Sequence, residues 1–150
     1  MTHAGGMRIG EAAARAGVST RTLRYYQELG LLTPAATTAG GARRYSDADI
    51  ARVQRILHLR DLVGLDLTQV GRVLAFEDRL AEIRREWFES QTPRRRSELL
   101  EEAAATNREI QEMVRSKMAA MQAFLGELEE RAQSYAVKRA ELEEQTLSRS

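Results

Sequence analysis

Residues 9–26 constrain the fold of this chain more than any other stretch, because they encode two short helices joined by a tight turn. The first has the apolar spacing of a packed helix, and Gly17 can adopt the positive φ that ends it. Ser19 can cap a second helix over residues 20–29, which is rich in Arg, Thr and Tyr. A packed helix, a turn and a second helix with hydrogen-bonding side chains form the layout of a helix-turn-helix.

Charge is distributed unevenly along the 150 residues, although the net charge is only +1. Residues 8–75 contain ten arginines, six acidic residues and no lysine, which gives this part a net charge of +4. The rest of the chain therefore carries a net charge of −3. A basic head followed by a mildly acidic tail indicates two separate functions.

Composition excludes several classes of protein. An apolar content of 43% is enough for one modest core, and 5% aromatic with 30% charged residues suits a helical protein with much solvated surface. The absence of cysteine excludes disulfides and thiolate metal sites, and two histidines, His3 and His58, are too few for an imidazole site. We therefore expect no metal and no cofactor.

Neither catalysis nor membrane insertion is indicated by the sequence. The acidic residues form no recognisable acid/base pair, so we expect no catalytic residues and no enzyme activity. No apolar run approaches the length of a membrane span, and no signal-peptide core is visible. A cytoplasmic protein without a membrane partner is the expectation.

The remainder of the head breaks helical periodicity and then resumes it. Residues 31–45 contain a Gly-rich tip at 39–42 flanked by Thr and Arg-Tyr, which predicts a short β-hairpin, although a plain loop has the same composition. Ser46 and Asp49 form a capping box that begins a third helix, and Gly64 closes that helix. A further short helix is expected to start near residue 66.

The tail is predicted to be a long helix with an unsatisfied apolar stripe. Residues 76–91 are amphipathic, and Pro93 is well placed at the first position of the next helix. Apolar residues spaced alternately three and four positions apart form a stripe along one side of a helix. A single helix cannot bury such a stripe against itself, so the stripe predicts a second chain. This dimer seam comprises Met118, Met121, Leu125, Leu128, Ala132, Tyr135 and Leu142.

Four segments of the head together resemble the MerR family of transcription regulators, in order and in spacing. They are TLRYY at 22–26, GLL at 30–32, GARRYS at 41–46 and LRDLVGLDLT at 59–68. The resemblance implies a winged helix-turn-helix on each subunit of a homodimer joined by an antiparallel coiled coil. It also implies a palindromic promoter operator with an overlong spacer. Such regulators bend and untwist that DNA, so that RNA polymerase can meet both promoter elements.

The predicted architecture is all-α with a small β wing, a winged helix-turn-helix head followed by a long coiled-coil dimerisation helix. The head departs from the family pattern at Ala42, where a large residue is usual. The expected segments are a disordered leader at 1–7, a DNA-binding domain at 8–75, a connecting amphipathic helix at 76–92, a dimerisation helix at 93–145 and a frayed tail at 146–150.

The candidate DNA contacts fall into two groups. Thr20, Arg21 and Arg24 at the front of the second helix are expected to reach base edges, since Arg pairs bidentately with guanine. The predicted phosphate contacts are Tyr25, Tyr26, Arg43, Arg44 and Arg60. By resemblance Tyr25 and Arg43 are favoured, while Tyr26 can equally well be structural. Alternation along a strand puts Arg43 and Arg44 on opposite faces.

Three aromatic residues lie between head and tail and could line an effector pocket. Phe76, Trp87 and Phe88 would suit a small organic ligand, and the lack of cysteine disfavours the thiolate metal- and redox-sensing branches of the family. The alternative, that they pack the head against the partner's coil, is the more common role for such residues.

We therefore predict a sequence-specific DNA-binding transcription regulator that acts as a homodimer. An architectural DNA-binding protein without an effector switch is a first alternative, and it would show shallow sequence preference and a broad footprint. A coiled-coil interaction protein whose head has lost DNA binding is a second, and the complete set of Arg and Tyr residues argues against it.

Overall fold

A computed structural model of the chain describes residues 6–33, 36–37, 40–41, 43–90 and 92–150, with only the backbone of residues 36, 37 and 43. The predicted helical character is confirmed. The chain forms two compact units, Met1–Glu86 and Trp87–Ser150. The elements are α1 (Ile9–Ala16), α2 (Thr20–Glu28), β1 (Ala36–Thr37), β2 (Arg43–Arg44), α3 (Asp47–Leu57), a π-helical turn (His58–Leu62), α4 (Leu67–Glu89) and α5 (Pro93–Ser148).

The predicted helix ends in the head are confirmed by their capping geometry. Gly17 follows α1 with φ +76°, and the Ser19 hydroxyl accepts a hydrogen bond from the Thr22 amide at 3.1 Å. Ser46 accepts from the Asp49 amide at 3.2 Å, and the Asp49 carboxylate accepts from the Ser46 amide at 2.8 Å. Each cap is stabilised by groups within three residues, which explains why the sequence alone predicts it.

The core of the first unit is built where α1 packs against both α2 and α3. Its largest side chains with almost no exposed surface are Leu23, Tyr26, Tyr45, Val53, Ile56 and Val70. Burying a side chain of this kind contributes about 1.5–3 kcal/mol. Beside the core, β1 pairs antiparallel with β2, with Ala36 opposite Arg44 and Thr37 opposite Arg43.

Met7 is ordered, which contradicts the predicted disordered leader over residues 1–7 at its last position. Its backbone exchanges two hydrogen bonds with Tyr45, at 2.7 Å and 2.9 Å, and its side chain is buried. These two bonds and the buried thioether offset the entropy of ordering the residue. Residues 1–5 of the predicted leader lie outside the described residues.

The third helix ends at Gly64, as the sequence predicts, but its last turn is π-helical rather than regular. The Val63 amide donates to the His58 carbonyl, five residues back, at 3.2 Å. The extra residue in this turn moves the following positions around the helix axis. Leu62, which regular spacing places on the apolar side, is consequently 77% exposed.

One continuous helix, α4, replaces the two helices expected over residues 66–74 and 76–91. It begins with a reciprocal cap in which Asp66 accepts from the Gln69 amide at 2.8 Å and Gln69 accepts from the Asp66 amide at 3.0 Å. No proline or helix-ending glycine stands near residue 75, so the helix has no reason to stop there. The predicted domain boundary between 75 and 76 falls inside α4.

The last helix, α5, has 56 residues and continues to Ser148, past the predicted start of a frayed tail at residue 146. At 1.5 Å per residue it is about 84 Å long. Leu99 is buried, whereas from Met118 onward every residue except Gly126 is exposed. Among the described residues, no helix is both long and apolar enough to cross a membrane.

Candidate nucleic-acid interface

The exposed face of α2 carries most of the predicted base contacts. Burial of Leu23 and Tyr26 fixes which side of the helix packs, and this leaves Arg21, Arg24 and Tyr25 exposed. Residues three and four apart share one face of a helix. A shallow groove along this face is lined by Arg21, Thr22, Arg24, Tyr25 and Glu28. Thr20, also predicted to contact bases, is half-buried at the start of α2.

A second concave surface adjoins the first and brings two further arginines to α2. It is lined by Arg8, Ile9, Arg24, Gln27, Glu28, Arg44 and Tyr45. Arg24 and Glu28 line both concavities, so the two are continuous along the helix. We call the set Arg8, Arg21, Arg24 and Arg44 the arginine surface.

Four arginines elsewhere in the head are paired with carboxylates, whereas Arg72 is exposed and has no ion pair with a described residue. Their ion pairs are Arg15–Asp47 at 3.3 Å, Arg52–Asp78 at 2.8 Å, Arg55–Glu77 at 2.5 Å and Arg60–Asp61 at 2.8 Å. No member of the arginine surface makes an ion pair with a residue that the structure describes. Glu28 supplies one negative charge nearby. Four neighbouring cations beside one carboxylate leave a positive local potential, which favours an anionic partner.

The two hairpin arginines can be placed only in part. Arg44 is half-buried and lines the concave surface beside Arg24. Arg43, the residue that the family resemblance favours, lies opposite Thr37 in the strand pair, and its side chain is outside the described part of the chain. Ala42, where the head departs from the family pattern, lies outside the described residues altogether. The phosphate role of Arg43 therefore stays a prediction.

The adjacent tyrosines of α2 have different environments. Tyr25 is exposed on the groove, whereas Tyr26 is only 1% exposed, and its hydroxyl accepts a hydrogen bond from Arg60 Nη1 at 2.9 Å. A side chain with so little exposed surface is not available to a phosphate. The burial of Tyr26 supports the structural role that the sequence leaves open.

Arg60 makes three hydrogen bonds within the chain. Besides the bond to Tyr26, Nε donates to Asp61 Oδ1 at 2.8 Å and Nη2 to Asp61 Oδ2 at 3.3 Å. Burial raises the pKa of the Tyr26 hydroxyl, an effect that the charge of Arg60 partly opposes. The hydrogen bond from Arg60 lowers the pKa of Asp61. At neutral pH the phenol is therefore neutral and the carboxylate charged.

The aromatic residues proposed for an effector pocket belong to different units. Phe76 is half-buried in the first unit, and Phe88 is exposed in the second. The Arg96 guanidinium lies 5.0 Å from the centroid of the Trp87 ring, and its Nε donates to the Trp87 carbonyl at 3.2 Å. This cation–π contact favours a packing role for Trp87. The effector pocket stays a prediction.

The predicted dimer seam is fully exposed in the single chain. Its large apolar members are between 41% exposed, at Leu128, and 64% exposed, at Met121 and Tyr135. Ala132 is exposed as well. Soluble proteins rarely leave a contiguous apolar stripe of this length in water.

Arg8 lies on the arginine surface, although no sequence pattern places it there. It is adjacent to α2 because Met7 pairs with Tyr45, 38 residues further along the chain. No local pattern signals a contact between residues so far apart. Within the described ranges, no group of three or more His, Cys, Asp or Glu side chains could hold a metal ion.

Comparison with known proteins gives the family to which the head is related. Residues 7–77 match the MerR HTH family regulatory proteins. The chain is 28% identical over 118 residues to the HTH-type transcriptional regulator YfmP of Bacillus subtilis. The aligned part covers 79% of this chain and 84% of YfmP. It is 47% identical over 66 residues to the HTH-type transcriptional activator TipA of Streptomyces coelicolor, covering 44% of this chain but only 26% of TipA.

A solved structure shares the fold over nearly the whole chain. A MerR family transcriptional regulator from Listeria monocytogenes superposes with a TM-score of 0.58, covers 97% of this chain and 100% of its own, and is 22% identical. At that level of identity the likeness concerns the fold alone.

Proposed function

Because residues 7–77 match the MerR HTH family regulatory proteins, we propose that the chain is a DNA-binding transcription regulator of this type. We propose that it acts as a homodimer on a palindromic operator and distorts an overlong promoter spacer. The observation that carries the proposal is the arginine surface. Four arginines without ion pairs to described residues gather along α2, whereas four other arginines of the head are paired with carboxylates. RNA polymerase is then an indirect partner, since it would meet the distorted promoter rather than this surface.

The proposed contacts divide by what each side chain can reach. With α2 in the major groove, Arg21 and Arg24 read base edges, and Thr20 contributes at the front of the helix. The residues proposed to bind phosphates are Tyr25, Arg8, Arg43 and Arg44. Exposure of Tyr25 and the position of Arg8 and Arg44 beside α2 support this assignment. Phosphate contacts fix the register of the head, and base contacts supply the specificity.

The homodimer follows from the exposed seam and from the symmetry of the target. A two-fold axis presents two copies of α2, which matches half-sites separated by about 34 Å or a multiple of it. Bending and untwisting the DNA between them costs on the order of 1–6 kcal/mol, which the contacts of two heads must offset. In the proposed homodimer, the strand pair β1–β2 forms the wing of each head. No effector is required for this binding mode.

Binding-site selection followed by salt titration tests the proposal. A duplex selected by the full-length protein from a random library, and a scrambled duplex of equal length, serve as the probes. We expect Arg24→Ala to cost about 1–3 kcal/mol on the selected duplex and to relax preference at one base pair of each half-site. Arg8→Gln should weaken binding to both duplexes alike and lower the salt slope by about one per subunit.

Arg94→Gln is the matched control, because Arg94 is an exposed arginine on α5, outside the arginine surface. It should leave both affinities and the salt slope unchanged. Failure to select any preferred duplex would contradict operator recognition and favour the architectural alternative. Absence of binding to either duplex would contradict DNA binding altogether.

A further inference from the structure

Arg60 and Tyr26 form a polar link between the π-helical turn and α2. The two residues are 34 positions apart, and the link is made by Arg60 Nη1 and the Tyr26 hydroxyl at 2.9 Å. Tyr26 is almost completely buried, and the two remaining bonds of Arg60 go to Asp61 on the same turn. The guanidinium thus contacts α2 while a carboxylate holds it from the other side.

We infer that Arg60 is a positioning residue, which fixes the second half of α2 through the Tyr26 hydroxyl and thereby sets the position of Arg24 and Tyr25 on DNA. This inference rests on the proposed function, since it assigns a specificity role within the same interface. It replaces the phosphate contact that the family resemblance implies for Arg60.

The π-helical turn gives Arg60 its environment. Besides the bond from Val63 to His58, the Leu65 amide donates to the Leu59 carbonyl at 2.9 Å, six residues back. Leu59 is buried and anchors the turn in the core, directly before Arg60. The Leu65 bond and Gly64, whose φ is +80°, form the common glycine end of a helix, so the turn that carries Arg60 has a defined conformation.

The length of α2 explains why such a link matters. With nine residues the helix is about 13 Å long, too short to be stable without tertiary contacts. Its first half is held by the Ser19 cap and by buried Leu23. Its second half is held by Tyr26, and by Gln27, which donates to the Tyr45 hydroxyl. Because Arg24 and Tyr25 directly precede Tyr26, a displacement of Tyr26 moves them.

A positioning role and a phosphate role predict different results in solution. A phosphate ligand contributes to the salt dependence of binding on every DNA sequence. A positioning residue makes no ion contact with DNA, so its loss leaves the salt slope unchanged and lowers discrimination between sequences. It also acts through Tyr26, so the two residues should not behave independently.

The experiment compares Tyr26→Phe, Arg60→Gln and the double variant in the full-length protein, with the selected and scrambled duplexes as probes. Tyr26→Phe removes only the hydroxyl and keeps the ring in the core. We expect each single variant to lower the ratio of the two affinities by about tenfold, the loss of one hydrogen bond to a charged group. The double variant should lower this affinity ratio by no more than either single variant does. All three variants should keep the wild-type salt slope.

The inference is overturned if Arg60→Gln lowers the salt slope by about one per subunit while Tyr26→Phe binds like wild type. Hydrogen exchange of the free protein provides a readout that needs no DNA. Both single variants should raise exchange at the last amides of α2, and unchanged exchange also overturns the inference. If wild type binds no DNA but exchange rises as expected, the proposed function fails while the link between Arg60 and α2 stands.

Discussion

Gly6 positions two members of the arginine surface by having no side chain. Its φ is +79°, and a Cβ built on it would lie 3.0 Å from Arg44 Cβ and 3.1 Å from the Tyr45 carbonyl oxygen. Only glycine adopts this conformation readily while letting the backbone approach so closely. Both Arg44 and the segment that leads to Arg8 therefore depend on this residue.

Gly6→Ala should destabilise the head by about 1–3 kcal/mol, because it adds backbone strain to a close contact. Gly10→Ala is the matched control, since Gly10 lies in α1 with no atom within 4 Å of the added Cβ. That substitution should stabilise the protein by about 0.5–1 kcal/mol. Denaturant unfolding measures both, and equal effects of the two substitutions would contradict the close approach at Gly6.

At the scale of elements, the sequence predicts what is decided locally. Ser19 and the Ser46–Asp49 pair cap their helices through neighbours three residues away, and both caps are confirmed. The strand-like pairing of Met7 is decided by Tyr45, 38 residues away, and no local propensity reports it. The π-helical turn likewise forms beside a long-range contact, the bond from Arg60 to Tyr26.

In the candidate interface too, the sequence predicts the features set by neighbouring residues but not those set by long-range contacts. The helix-turn-helix pattern predicts an exposed α2 with Arg21 and Arg24 on it, and both residues are exposed. Helical geometry puts Tyr25 and Tyr26 about 100° apart without saying which one faces the core. Only the family resemblance favours Tyr25 as the exposed residue of the two. Arg8 and the pairing of Arg60 depend on tertiary contacts, which adjacent residues do not encode.

Gly126 offers a test of how α5 is covered along its length. It interrupts an otherwise good helix-forming sequence and is one position past Leu125, outside the seam, and no atom lies within 4 Å of a Cβ added there. Gly126→Ala should therefore raise stability by about 0.5–1 kcal/mol without changing the assembly. Thermal unfolding at fixed protein concentration measures this. A lower melting temperature would mean that a partner backbone approaches Gly126 closely.

At the scale of the whole molecule, the two units differ in whether their apolar side chains are buried within the single chain. The first unit buries its own core, whereas the second exposes its apolar side chains along the seam. A seam of this spacing is covered by a second helix with knobs-into-holes packing. The folded state expected in solution is therefore that of two chains, with its stability dependent on concentration.

Replacing both Leu125 and Leu128 with Asp should abolish the dimer and operator binding, because each buried carboxylate would cost several kcal/mol. Val137→Asp is the matched control, since Val137 is exposed on the same helix but outside the seam, and it should leave both unchanged. Light scattering measures the mass against 16.9 kDa for one chain, and gel shifts measure DNA binding. A well-folded wild-type monomer at micromolar concentration would contradict the dimer.

The exposed seam has a consequence for how a cell would sense the amount of this protein. If only paired chains occupy promoters, then at low abundance the occupied fraction rises with the square of the number of chains. Halving the abundance, for example by one cell division without new synthesis, would reduce occupancy about fourfold rather than twofold. The regulated genes would then respond to production and dilution of the regulator more sharply than genes controlled by a protein that acts as a single chain.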